Sequence, residues 1–186
     1  MCSNQRENKM KKLLASAFIL SSFVAISAQA ENSVFIQQTD GGSASVAQDS
    51  GSNNSVRISQ SGVDNKSTVL QSGDNNLVEL KQEDGTDNVL AVTQSGANNT
   101  AIQEQSGSRN VGNIYQQGNG NTAVGIARGN NNFIGTTQIG NSNISTVDIA
   151  GSNNSFVQEQ IGDGLGYAIT HVGDGAVVSV TQTNVQ

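Results

Sequence analysis

The chain contains no proline and no tryptophan, one cysteine, one histidine, and only 4% aromatic residues in a length of 186. Each scarcity excludes something. Without proline, no position lacks the backbone N–H that a ladder of central strands requires. A lone cysteine, Cys2, can form no disulfide within the chain. A lone histidine, His171, supports no Ser/His/Asp constellation by spacing. Basic residues are also scarce: beyond residue 30 only Arg57, Lys66, Lys81, Arg109 and Arg128 stand against fourteen acidic residues, a net charge near −9. So acidic a chain, with no basic patch, is a poor partner for nucleic acid. The abundance of Gly, Asn, Gln and Ser would suggest disorder on composition alone.

The one long apolar run lies at the start. Lys11 and Lys12 precede Leu13 to Ile26, and Ala28-Gln29-Ala30 is a small-x-small cleavage signature, so residues 1–30 read as an upstream extension plus a secretory signal peptide. Met10 is the expected start, with residues 1–9 and Cys2 upstream of it. No later span is apolar for long enough to cross a bilayer. Residues 31–186 form the expected folded unit.

What fills that unit is a repeat. Asn53-Asn54-Ser55-Val56-Arg57-Ile58-Ser59-Gln60-Ser61-Gly62 holds an Asn, an alternating run, a Gln and a Gly, and it recurs every ten to twelve residues. That length suits one short strand and a tight turn and is too short for a helix with its loop. In a strand, Asn54, Val56, Ile58 and Gln60 share one face and Ser55, Arg57 and Ser59 the other. Arg57, Lys66, Glu79, Lys81, Glu104, Asp148 and Glu159 all fall on the second face. The Asn/aliphatic/Gln face is therefore the buried one. A disordered tract has no reason to sort its charges this way.

Every turn carries a Gly, from Gly41 and Gly51 to Gly162 and Gly173, with Asn or Asp nearby to tolerate positive φ. Pairing units gives seven repeats of about 22 residues. The predicted fold is all-β: a two-sheet parallel β-solenoid of strand-turn-strand repeats with amyloid-type cross-β stacking, each strand pairing with the one two units on.

The two sheets should carry different amide columns. Sheet A holds Gln48, Gln71, Gln94, Gln116, Gln138, Gln160 and Gln182 without a break. Sheet B holds Gln38, Gln60, Gln82 and Gln105, then Ala127, Ile149 and His171. Stacked amides can each donate to one neighbour and accept from the other, so a buried column satisfies itself. Six residues before the Gln site stands a second column: Asn32, Asn54, Asn65, Asn76, Asn88, Asn99, Asn110, Asn121, Asn132, Asn143 and Asn154, interrupted at Gly42, Leu165 and Ala176. At His171 the expected role is a substitution in the column and not catalysis.

These repeats resemble the curlin family, subunits of curli amyloid fibres on bacterial surfaces. The family pattern Ser-x5-Gln-x-Gly-x-x-Asn-x-Ala-x3-Gln is partly kept from Gln60 through Gly62 and Asn65 to Gln71. It is kept more fully in Gln94-Ser95-Gly96-Ala97-Asn98-Asn99-Thr100-Ala101 and in Gln116-Gln117-Gly118-Asn119-Gly120-Asn121-Thr122-Ala123. The resemblance runs in phase through residues 31–186, with more repeats than the best-known curlins. The first strand is expected to begin at Asn32, leaving no room for the separate segment that addresses curlins to their export pore, so the export route stays open at this point.

The resemblance implies a secreted, non-enzymatic structural subunit, major or nucleating, that polymerises into an extracellular fibre supporting adhesion and biofilm. Implied partners are further copies of itself, a second curlin-like subunit, and the pore and chaperones of a curli-type secretion system. No cofactor is expected. The alternative is a monomeric secreted β-solenoid that binds a ligand or surface, with a solenoid enzyme further behind, because the outward charges are scattered and mixed in sign. Gly162-Asp163-Gly164 and Gly173-Asp174-Gly175 resemble pieces of a calcium solenoid motif but lack its nonapeptide period and read as turns. An ice-binding face would need a regular outward Thr column, and none persists.

Overall fold

A strand whose inner face mixes amides with aliphatics gains most by lying in register beside a strand of the same pattern, because amide then meets amide and methyl meets methyl. The computed structural model describes residues 21–26 and 32–184 of the chain. Fifteen strands are found there: β1 (Ser21–Ile26), β2 (Ser33–Gln38), β3 (Gly42–Gln48), β4 (Ser55–Gln60), β5 (Asn65–Ser72), β6 (Leu77–Glu83), β7 (Val89–Ser95), β8 (Thr100–Ser106), β9 (Val111–Gln117), β10 (Thr122–Arg128), β11 (Phe133–Ile139), β12 (Ile144–Ala150), β13 (Ser155–Ile161), β14 (Gly166–Val172) and β15 (Val177–Thr183).

They form two parallel sheets. Sheet A runs β1-β3-β5-β7-β9-β11-β13-β15 and sheet B runs β2-β4-β6-β8-β10-β12-β14. Register is kept residue for residue: Gln94 lies opposite Gln116, which lies opposite Gln138, and Gln60 opposite Gln82. The architecture is thus a parallel β-solenoid with a rung of about 22 residues, as the repeat requires. Arg57, Lys66, Glu79, Lys81, Glu104, Asp148 and Glu159 are all exposed or half-exposed, none buried, as are Glu83 and Arg128 at the ends of β6 and β10.

One strand lies outside the unit expected to fold. β1 belongs to the run assigned to the leader, yet it pairs in parallel with β3, Ser21 against Ser43 through Ile26 against Gln48. The physical reason is the open edge of β3, whose unpaired N–H and C=O groups accept any extended neighbour, and Ser21–Ile26 is rich in residues that favour strands. The Lys pair, the cleavage signature, Met10 and Cys2 lie outside the described residues.

The core between the sheets is thin and in two pieces. One apolar cluster gathers Val46, Val56, Ile58, Val69, Val78, Leu80, Leu90, Val92 and Ile114, ending at Ala101 and Ala123. The other gathers Ala127, Ile134, Val147, Ile149 and Phe156. Between them lie Gly112, Gly125 and the buried Gln103.

The turns are held by a close approach. A Cβ added to Gly118 would sit 2.0 Å from the carbonyl oxygen of Gly140, and one added to Gly73 equally close to that of Gly96. Successive turns therefore touch backbone to backbone, which only glycine permits. From Asn54 to Asn154 the residue before each Asn of the column takes positive φ, as at Asn53 (59°), Asn98 (58°) and Asn131 (57°).

Candidate functional site

The chain's distinctive chemistry is the pair of amide columns, and their geometry follows from register. In sheet A, Nε2 of each Gln donates to Oε1 of the next: Gln48 to Gln71 at 2.9 Å, Gln71 to Gln94, Gln94 to Gln116 and Gln116 to Gln138 at 2.8 Å, Gln138 to Gln160 and Gln160 to Gln182 at 2.9 Å. The second hydrogen of the same Nε2 crosses to sheet B. Gln116 donates to the Thr100 carbonyl at 3.0 Å, Gln138 to Thr122 at 3.0 Å, Gln160 to Ile144 at 3.0 Å and Gln182 to Gly166 at 3.1 Å. From Gln71 to Gln160 each amide thus ties a rung to the next rung and one sheet to the other. Gln71, Gln116, Gln138 and Gln160 are fully buried, whereas Gln182 at the end of the stack is half-exposed.

Sheet B carries the shorter column. Gln38 donates to Gln60, Gln60 to Gln82 at 2.6 Å and Gln82 to Gln105 at 3.2 Å. Gln105 then turns to the Val89 carbonyl at 3.3 Å, and the fully buried Ala127 and Ile149 follow. His171 ends the series half-buried, its ring 5.5 Å from that of Phe156.

The Asn column does more than fill space. Oδ1 of each Asn accepts from the backbone N–H of the residue one rung on, as from Asn99 to Asn76 and from Asn121 to Asn99, both at 3.0 Å, and at the end of the column from Leu165 to Asn143 and from Ala176 to Asn154. Its Nδ2 donates to the glycine carbonyl of the next turn, Asn99 to Gly118 and Asn121 to Gly140, both at 2.8 Å. Asn54, Asn65, Asn88, Asn110, Asn132, Asn143 and Asn154 repeat this pattern, and Asn32 reaches Gly51 at 3.1 Å from the half-buried first rung. Reasoning from the sequence placed this column on the inner face but missed its bridging role. The signal was present as the constant Gly-x-x-Asn spacing, which puts each turn's glycine within reach of the Asn one rung before.

Residues 51–83, which span β4, β5 and β6 with their turns, match the family model of the Curlin associated repeat. The chain carries the curlin repeat. No curated protein matches it.

The stack leaves specific atoms open at its ends. Oε1 of Gln48 and Oε1 of Gln38, the first members of the two columns, are buried without a partner among the described residues, and so is Nε2 of His171 in the last rung of sheet B. Within the stack the unpartnered buried atoms are both amide atoms of Gln103 and Nε2 of Gln158, whose Oε1 accepts from Ser145.

The outer faces hold scattered charge. Glu83 lies 3.0 Å from Lys81, and its hydrogen bond and negative charge raise the pKa of the Lys81 ammonium above its ordinary value. Arg128 pairs with Asp148. Asp163 and Asp174 serve turns: their Oδ1 atoms accept from the backbone N–H of Asn141 at 2.7 Å and of Ser152 at 2.6 Å. Among the described residues no group of three or more His, Cys, Asp or Glu is placed to hold a metal ion, and no helix is long and apolar enough to cross a membrane.

Proposed function

We propose that the chain is a secreted structural subunit that polymerises into curli-like amyloid fibres on the bacterial surface, where the fibres support adhesion and a biofilm matrix. The observation that carries this reading is the unbroken column from Gln48 to Gln182, in which every rung is completed by the next and nothing in the pattern sets a final length. Edge strands β2, β14 and β15 present unpaired backbone groups among the described residues, and such an edge is a template for a further chain. The curlin repeat supports a structural role and not an enzymatic one. On this reading residues 1–30 are removed during export, and the partners are further copies of the chain, a second curlin-like subunit, and the pore and chaperones of a curli-type secretion system.

The test is fibre formation by the secreted chain. Concentrated and incubated, it should give fibrils with reflections at about 4.7 and 10 Å and should bind amyloid dyes. A monomer that persists for weeks at high concentration, with sharp monomeric scattering, overturns the reading.

A further inference from the structure

Asn119 is followed by Gly120, and no other asparagine in the chain has glycine after it. Glycine has no side chain to shield its backbone nitrogen, and that nitrogen lies one bond short of a five-membered ring with the asparagine Cγ. We propose that Asn119 is a site of spontaneous hydrolytic modification, held unreactive by the closed stack and released when the rungs around it open. The inference goes beyond the fibre reading and does not require it.

In the first step Gly120 gives its amide proton to a base in the solvent and its nitrogen bonds to Asn119 Cγ. The Cγ–Nδ2 bond breaks, and Nδ2 leaves with a solvent proton as ammonia. Water then opens the cyclic imide at either carbonyl, restoring the hydrogen on the Gly120 nitrogen. Attack at Cγ gives aspartate. Attack at the main-chain carbonyl gives isoaspartate, whose chain runs on through Cβ and Cγ. Water is the sole co-reactant.

Asn119 and Gly120 are exposed in the turn between β9 and β10, yet both are tied to neighbouring rungs. The Gly120 N–H donates to the Ala97 carbonyl at 2.9 Å, so the proton that must leave is in a hydrogen bond. Asn119 Oδ1 accepts from the Ala97 N–H at 2.9 Å, and its Nδ2 donates to Asn141 Oδ1 at 3.3 Å. Ring closure needs the Gly120 nitrogen free and Cγ brought over it, and both movements break bonds to Ala97.

The rungs that must open are the least supported ones. Strands β8, β9 and β10 offer the core Ala101, Ile114 and Ala123, with Gly112 and Gly125 between them and Gln103 buried without a partner for either amide atom. The reactive pair thus lies where few apolar contacts oppose local opening.

The two products differ in what they do to the stack. Aspartate is already used at this turn position: Oδ1 of Asp74, Asp163 and Asp174 accepts from the backbone N–H of Ser52 at 2.8 Å, Asn141 at 2.7 Å and Ser152 at 2.6 Å, as Asn119 Oδ1 does from Ala97. Isoaspartate adds a carbon to the main chain between Gly118 and Asn121. The bonds from Gly118 N–H to the Ser95 carbonyl, from Gly120 N–H to the Ala97 carbonyl and from Asn121 Nδ2 to the Gly140 carbonyl depend on that spacing. They cannot all be kept.

The test holds the chain in warm, mildly alkaline buffer, folded or in denaturant, and reads aspartate and isoaspartate at every asparagine by peptide mass spectrometry. In denaturant, product should gather at Asn119 ahead of all other asparagines, and in the folded chain it should form at least about tenfold more slowly. No preference for Asn119 in denaturant overturns the site, and equal rates in the two states overturn its protection by the stack. Gly120→Asn places at this turn position the residue that Asn98 supplies one rung before, at φ 58°. It should remove the preference for Asn119, and a preference that persists overturns attack by the Gly120 nitrogen. Asn119→Asp should keep the unfolding midpoint of the unmodified chain, whereas the isoaspartyl chain, separated by chromatography, should unfold earlier. An isoaspartyl chain as stable as Asn119→Asp overturns the loss of turn bonds.

Discussion

Gln116 donates to Gln138 Oε1 at 2.8 Å while its other amide hydrogen meets the Thr100 carbonyl of the facing sheet at 3.0 Å. One side chain thereby fixes both the register of successive rungs and the separation of the two sheets.

Gln116→Ala should slow fibre elongation clearly, because three groups lose a partner: Gln94 Nε2, Gln138 Oε1 and the Thr100 carbonyl. Each unmet buried group costs on the order of 1 to 3 kcal/mol. In a homopolymer the defect recurs in every subunit. Ile149→Ala, in the part of sheet B where the amide column has already ended, removes only apolar packing and should cost about 2 to 5 kcal/mol through lost burial and the cavity left behind. The discriminating measurement is elongation on preformed unmodified seeds, compared at matched loss of stability. Elongation of Gln116→Ala as fast as the unmodified chain would mean that the column does not set register.

The turn column makes two predictions of opposite sign. Gly118 has φ 115° and would place a Cβ 2.0 Å from the Gly140 carbonyl, so Gly118→Ala combines strain with a backbone clash. It should destabilise by at least about 2 kcal/mol. Arg109, by contrast, holds φ 58° with a side chain that gains nothing from it, at a position that is Asp87 one rung before and Asn131 one rung after. Arg109→Gly should stabilise by roughly 1 kcal/mol by removing that strain. Midpoints of chemical unfolding for the two variants check both, and an unchanged Gly118→Ala would contradict the close stacking of turns.

Fold class, rung length and the buried face were legible because three independent patterns agree in phase: the Gln sites, the Asn sites and the outward charges. The Gly position was legible as well, but for an incomplete reason. Positive φ explains a preference at Gly118, whereas contact with the turn above explains why Asn does not serve there equally well. The second hydrogen bond of each Gln was not legible, since its acceptor is a backbone carbonyl such as Thr100 O that carries no residue identity. Pairing of Ser21–Ile26 was hidden for a related reason: edge backbone groups select for extension and not for sequence.

The seam in the core yields the last prediction. The two apolar clusters end at Ala123 and begin at Ala127, and the space between is filled by Gln103 lying across two glycines. A Cβ at Gly112 would come within 2.7 Å of Gln103 Nε2, so the long amide occupies the room the glycines leave. Neither Gln103 Oε1 nor Nε2 finds a partner, although the residue is 1% exposed. The seam thus lacks apolar area and carries two unmet polar atoms, and hydrogen exchange among the strands should be fastest between Asn99 and Ala127. Methionine matches glutamine in length without the amide, and volume-conserving changes are the best tolerated in a packed core. Gln103→Met should therefore stabilise by about 1 to 3 kcal/mol and slow exchange in β8, β9 and β10 more than elsewhere. Uniform protection across all strands in the unmodified chain would show that the two clusters behave as one core. Faster exchange in Gln103→Met would show that the amide is satisfied where it lies.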